Sequence, residues 1–313
     1  MQLRQIASPI FAFSSDGVSR VAWEASEDGP IVVLDTGTAQ RRTLTPPPGC
    51  RLADEDEGGS YLPTAAAGRV LIQCEPREQE ELLDMRTGVA TPLPLGSYWY
   101  ELGTRYARGN NSKEQQVVID LATGTIRRVG DGYVDLDRRG ARGAPAVCPA
   151  LRSALRHAAP LLSTGAAAYR NGILAGQFGS HGMIQLRRCD GRRTTLAGQH
   201  VDNEFANHVP RSFDLRGGLL SWDTGSEADT TNGEEPPRRP LFRARLDIVA
   251  PGSHRRRSWT LPRRKVPGGV GGPDSYGYST HTSNTVFWVA TRSVTQGESG
   301  PSVASYSLYS AHF

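Results

Sequence analysis

Apolar residues recur along the chain in short runs and alternations, each cut by Gly, Asp or Thr, and rarely at helical spacing. That pattern predicts short strands joined by tight turns rather than long helices. Three segments share one form, an apolar strand, an Asp turn and a Thr-Gly step: Ile31 to Gly37, Leu82 to Gly88, and Val117 to Gly124. A second short strand follows each, at Gln40 to Leu44, Ala90 to Leu93 and Ile126 to Val129. Weaker copies run through Met183 to Leu196 and Phe242 to Leu261. The physics is that of a hairpin, in which Asp and Thr bond the turn backbone and Gly supplies a positive φ.

Upstream of each hairpin lies another strand pair, usually broken at Gly. Examples are Phe11 to Glu24 around Asp16-Gly17, Tyr98 to Gly109 around Gly103, and Ser212 to Trp222 around Gly217-Gly218. Four strands per unit, repeated at roughly 35–65 residues, predict an all-β chain folded as a single β-propeller. Six units are expected, starting near residues 8, 60, 97, 132, 202 and 273. Seven result if residues 140–165 hide a degenerate blade, and five if two units merge. The domain is then 1–313, with an insertion at about 140–165 and a long polar loop at about 224–240. Ala304 to Tyr309 reads as a third strand with no fourth after it, and Gln2 to Ile6 as a fourth strand with no blade. Pairing them completes the last blade and removes an edge. A two-domain β-sandwich explains the alternation but not this complementarity of the ends. Within the insertion, Leu151, Ala154, Leu155 and Ala158 stand at helical spacing, predicting a short helix over Ala150 to Leu162.

Composition agrees with this picture. The 35 glycines and 21 prolines exceed ordinary usage, as many turns require, while an apolar share of 37% before glycine is counted argues against wholesale disorder. No apolar run approaches the roughly 20 residues of a membrane helix.

The net charge of +4 invites a nucleic-acid reading that the positions argue against. Nearly every base is Arg, scattered as pairs at Arg41-Arg42, Arg127-Arg128, Arg138-Arg139 and Arg187-Arg188, with a denser run from His254 to Arg257 and Arg263 to Lys265. Basic residues interleaved with aromatics on one face would mark a nucleic-acid groove. Pairs on outer strands and turns suit solvated edges instead, so no nucleic-acid partner is expected. An Arg-rich, Lys-poor chain also agrees with a GC-rich bacterial genome.

The four cysteines form no C-x-x-C pair, so neither zinc nor a thioredoxin-type site is expected. Their separations of 24 and 41 residues suit disulfides Cys50–Cys74 and Cys148–Cys189, although four cysteines allow three connectivities and reduced buried thiols are the alternative. Cys50 and Cys148 sit in Pro-rich loops, which favours disulfides and hence a secreted or periplasmic location. Met1 leads directly into Gln2-Leu3-Arg4-Gln5 without a signal peptide, so a secreted protein of this sequence would be a mature form carrying an added Met.

At Phe13-Ser14-Ser15-Asp16-Gly17, with Val21 and Trp23 following, the sequence resembles the TolB-like and WD40-like propeller repeat. Val118 to Ile126 is similar to repeats of the YVTN and quinoprotein-like propellers. The Pro usual beside Ser-Asp-Gly is replaced by Ser15, and the Gly-His…Trp-Asp pattern is represented only by Trp222-Asp223. The resemblance implies a propeller. It constrains function little, because such propellers serve as interaction scaffolds, surface proteins, lactonases and peptidase caps.

In a propeller the loops that lead into the innermost strands ring one mouth of the channel. Here they hold Asp54 to Glu57, Gly96-Ser97-Tyr98, Asp131-Gly132-Tyr133, Asp202 to Glu204 with Asn207-His208, and Asp274-Ser275-Tyr276. The predicted ligand-binding residues are Tyr98, Trp99, Asp131, Tyr133, Asp202, Glu204, His208, Asp274 and Tyr276. Tyr and Trp faces suit a glycan or a protein partner, and the carboxylates would suit Ca²⁺ if any ion binds. The plainer account is that Asp, Asn and Ser form turns there. No histidine has metal-ligand spacing and no G-x-S-x-G elbow occurs. Gly268 to Pro273 precedes no helix, so it reads as a connection rather than a phosphate loop. The expectation is a noncatalytic binding module without a cofactor. The alternative is a lyase or hydrolase using His208 or His281 as general base. Oligomeric state is left open.

Overall fold

The repeated Asp turns form as the sequence directs. Asp35 Oδ1 accepts the N–H groups of Gly37 and Thr38, each at 3.0 Å. Asp84 Oδ1 accepts those of Arg86 and Thr87. Asp120 and Asp190 repeat the turn at Ala122 and Arg192. Burial opposes ionisation of Asp35 and Asp84, but the turn N–H groups, the Thr38 and Thr87 hydroxyls and the Arg20 and Arg86 charges together outweigh it and hold both carboxyls below their ordinary range.

A computed structural model describes residues 3–26, 29–53, 64–75, 79–130, 133–146, 148–163, 167–178, 184–196, 210–224, 245–253, 255–261, 277–297 and 300–313. Its strands make six antiparallel blades. The first runs through Ala12–Ser15, Arg20–Glu24, Ile31–Asp35 and Gln40–Leu44. The second has an innermost strand in two pieces, Cys50–Leu52 and Ala65–Ala66, both paired to Arg69–Cys74, with Gln79–Asp84 and Ala90–Pro92 outside. The third comprises Ser97–Leu102, Tyr106–Asn111, Gln116–Asp120 and Ile126–Arg128; the fourth Ala167–Arg170, Ile173–Gln177, Ile184–Arg188 and Arg193–Leu196. The fifth comprises Pro210–Arg216, Leu219–Thr224, Arg245–Val249 and Arg256–Thr260. Gly277–His281, Thr285–Gly297 and Gly300–His312 form the sixth, with Arg4–Ile10 paired antiparallel along the last of these.

The core lies between neighbouring blades. Ala22 and Val33 of the first meet Ile72 and Leu83 of the second. Leu71 and Leu82 meet Trp99 and Val117, and Leu186 meets Phe213 and Trp222. Leu246 and Trp259 meet Trp288 and Tyr309, and Phe287 and Leu308 meet Phe13 and Trp23. Trp23, Trp222 and Trp288 are therefore blade-packing residues on second strands, although Trp288 lies near the start of its strand, Thr285–Gly297, and not at its end. The Arg pairs at Arg41-Arg42 and Arg127-Arg128 lie exposed on outermost strands.

The fourth blade departs from the expected boundary near residue 132. Tyr133 to Asp137 repeats the alternation of the third blade's first strand, yet Asp135–Arg139 pairs with Pro145–Ala146 in a separate two-stranded sheet. Leu136 packs on Tyr106 and Val118 of the third blade. Asp135 Oδ2 accepts the Gly172 N–H at 2.7 Å in the first hairpin of the fourth. This hairpin is a wedge between two blades. After it come a 3₁₀ turn, Pro149–Leu151, and the helix α1, Arg152–Ser163, whose Leu155, Ala158 and Leu162 pack on Tyr169 and Leu174.

Both expected disulfides are present. Cys50 and Cys74 face each other across the second blade, and Cys148, just before α1, joins Cys189 at the end of Ile184–Arg188. The polar stretch from Thr224 to Pro240 lies, beyond Thr224 itself, outside the described residues.

Candidate functional site

The innermost strands run in one direction, so their last residues meet at one end of the channel. Arg216 fills that end. Its Nη1 donates to the backbone oxygens of Ser15 in the first blade and Ala65 in the second, the latter at 2.7 Å. Its Nη2 donates to Asp214 Oδ2 at 2.6 Å and to Thr280 Oγ1 of the sixth blade at 2.8 Å. One guanidinium thus ties four blades together. The turns behind it touch as well. A Cβ on Gly17, which has φ +73°, would lie 2.5 Å from Arg216 Cβ, and one on Gly217 would lie 2.4 Å from the Gly17 carbonyl oxygen.

Asp214 is buried, which disfavours its charge, but Arg216, His281 and Thr280 more than compensate and hold its carboxyl far below the usual range. His281 is also fully buried, and burial keeps its pKa below the ordinary value despite the attraction of Asp214. Its Nδ1 lies 2.8 Å from Ser221 Oγ and its Nε2 lies 3.1 Å from the Arg216 carbonyl oxygen. With Nε2 carrying the proton, Ser221 donates to Nδ1. The residue types are those of a nucleophile and base, but Ser221 and His281 are both 0% exposed. Among the described residues they form a sealed hydrogen-bonded link between the fifth and sixth blades. His281 lies at the last residue of its strand, the opposite end from the predicted mouth.

A second charged cluster lies between the third and fourth blades. Glu101 accepts from Arg170 Nη2 at 2.7 Å and from Arg108. The Arg108 guanidinium stacks 4.4 Å from the Tyr133 ring. These residues border a cavity of about 30 Å³, room for about two waters.

Of the residues predicted for the mouth, three are described. Tyr98 is 39% exposed, at the start of its strand, with its ring 6.1 Å from that of Tyr100. Trp99 points the other way, into the core between the second and third blades, and its indole N–H donates to the Pro94 carbonyl at 3.4 Å. Tyr133 is half-buried and its hydroxyl donates to the Ala159 carbonyl at 3.1 Å, tying the wedge to α1. Asp131, Asp202, Glu204, His208, Asp274 and Tyr276 lie outside the described residues, as does Asp54 to Glu57.

The wider concavity lies on the flank of the fourth blade. It is a groove of about 670 Å³ with one wall from Leu151, Ala154, His157 and Leu161, within the range of ligand sites. Phe178 and Arg187, Arg188, Arg192 and Arg193 form the other wall. The Cys148–Cys189 bond links the chain just before the helical wall to the end of the strand that carries Arg187 and Arg188. Arg187 lies over the Phe178 ring at 4.6 Å and donates to Gln185 Oε1. Directly opposite Arg187 on the next strand stands Arg193. Burial, together with the Arg193 charge, lowers the Arg187 pKa. Sequence reasoning read these arginines as solvated edges. A signal that could have found the groove was Cys148 before a helical apolar stripe together with Cys189 between two Arg pairs.

Solved structures similar to the chain include two propellers. Swd1 (Cps50) of Myceliophteria thermophila matches with a TM-score of 0.35 and 13% identity, over 99% of each chain. The putative TolB of Agrobacterium tumefaciens matches with a TM-score of 0.34 and 12% identity, over 80% of this chain and 85% of that one. The likeness is one of fold. No family model matches the chain, and no curated protein matches it.

Proposed function

We propose that this propeller is a noncatalytic interaction module of an oxidising, extracytoplasmic compartment, and that it holds a polypeptide partner in the groove beside α1. The observation that carries the reading is the groove itself, which joins apolar side chains to four guanidinium groups within about 670 Å³. Two disulfides in one chain support the compartment. Against an enzyme stands the sealing of the Ser221–His281 pair, which leaves no approach for a substrate. The other histidine proposed as a base, His208, lies outside the described residues.

A random peptide library selected on the immobilised protein tests this reading without assuming the partner's charge. Selected peptides should protect α1 and residues 184–196 from hydrogen exchange. A library that yields no binder refutes the groove. Glycan-array hits that protect residues 97–102 would move the ligand to the channel mouth, where Tyr98 is exposed.

A further inference from the structure

We infer that the groove is built for an acidic, amphipathic polypeptide segment, one whose carboxylates lie against the arginine wall while apolar side chains cover the α1 wall. The inference rests on the groove reading above and adds the chemistry of the partner. Four arginines line one wall. Among the described residues the carboxylate found at them is Asp190, 3.6 Å from Arg192 Nε, with both side chains more than half exposed, a pairing that contributes little. Arg187 and Arg193 face each other directly across the strand pair, and like charges in that position destabilise a sheet. A carboxylate placed between the two guanidinium groups removes that repulsion and forms charge-assisted, bidentate hydrogen bonds.

The rest of the groove selects among anions. Ala154 and Leu161, both partly exposed, offer aliphatic surface, which a nucleic-acid backbone or a sulfated glycan cannot use. The single aromatic on the arginine wall, Phe178, is already covered by Arg187, so it is not available as a stacking platform for bases. A peptide that alternates carboxylates with apolar side chains satisfies both walls at once. The Cys148–Cys189 bond holds those walls in register, which keeps the ordering cost of binding low.

The test uses the intact, oxidised protein and a fluorescent peptide repeating Glu-Glu-Leu-Phe, with Gln-Gln-Leu-Phe, polyglutamate, heparin and single-stranded DNA as competitors. The acidic amphipathic peptide should bind at least tenfold more tightly than the Gln form and outcompete polyglutamate. R192E combined with R193E, both exposed positions, should lose at least tenfold in affinity with an unchanged melting temperature. Binding should protect the amides of residues 152–163 from hydrogen exchange, an independent check on location. Equal binding of the Gln peptide with α1 protected overturns the acidic class while the groove reading stands. Failure of every peptide, together with an empty library selection, overturns both. Heparin or DNA displacing the peptide at lower concentration overturns the inference in favour of a polyanion surface.

Discussion

Arg216 is a side chain on which contacts of four blades depend. Its removal leaves the Asp214 carboxylate buried between Thr280 and His281 without its counter-charge. Arg216→Met should therefore cost about 3–5 kcal/mol, measured by urea unfolding. Combining it with Asp214→Leu should recover part of that loss, because two apolar side chains replace an ion pair more cheaply than one leaves a lone charge. A double variant as unstable as the sum of the singles refutes the pairing. His281 gives a pH signature of its own. Burial depresses its folded pKa, so the unfolded chain takes up its proton first on acidification. Its contribution is then full above about pH 6.5 and declines as pH falls below that value. Asp214, also depressed, adds a second loss beginning lower, near pH 4. Thermal melts of His281→Gln should lack the slope between about pH 6.5 and 5 that the parent shows. The same slope in both would assign it elsewhere. None of this pairing was legible beforehand. Asp214 and Arg216 share a strand face, and period-two alternation shows that much, but the meeting of Ser15, Ala65 and Thr280 with them depends on how four blades converge.

At the scale of elements, the hairpins were legible because each is specified locally. An Asp that accepts turn N–H groups and a Gly with positive φ act within a few residues, and so Ile31–Asp35, Gln116–Asp120 and their partners lie where the pattern puts them. The helix was legible for the same reason, its apolar positions recurring at its own period. The fourth blade was misplaced because Asp135–Arg139 has a strand's alternation, while its partner is chosen by the space between blades. The second blade's innermost strand was missed at Cys50–Leu52 because three residues carry little periodicity. The groove needed one long-range fact, the Cys148–Cys189 bond, to bring two unremarkable surfaces together. That bond closes 41 residues of chain, which chain entropy values at about 3–4 kcal/mol. Replacing both cysteines by Ser should lower the urea midpoint accordingly. It should also raise hydrogen exchange in α1 more than in the first blade, since α1 otherwise rests on the apolar contacts of Leu155, Ala158 and Leu162. Uniform exchange across the molecule would mean that the disulfide does not hold the helix.

At the scale of the whole molecule, strands near its two ends pair with each other. Arg4–Ile10 supplies the outer partner of Gly300–His312, with Arg4 opposite Ser310 and Gln5 opposite Tyr309. Leu3 joins the cluster of Trp288 and Tyr309, and Ile10 that of Phe287 and Leu308. Removing residues 1–10 strips those two apolar side chains from packed sites and leaves a long strand with unpaired backbone groups. Each buried aliphatic lost from a core costs about 2–5 kcal/mol, and a long exposed edge is a template for pairing with another chain. The truncated protein should melt at lower temperature than the parent and elute as dimers or larger species in size exclusion. A synthetic peptide of residues 3–10 supplied in trans should reverse both effects, because it restores the ladder without restoring the covalent link. A truncated chain that stays monomeric with an unchanged melting temperature would show that the sixth blade is stable with three strands, and that the pairing of the ends contributes nothing to the ring.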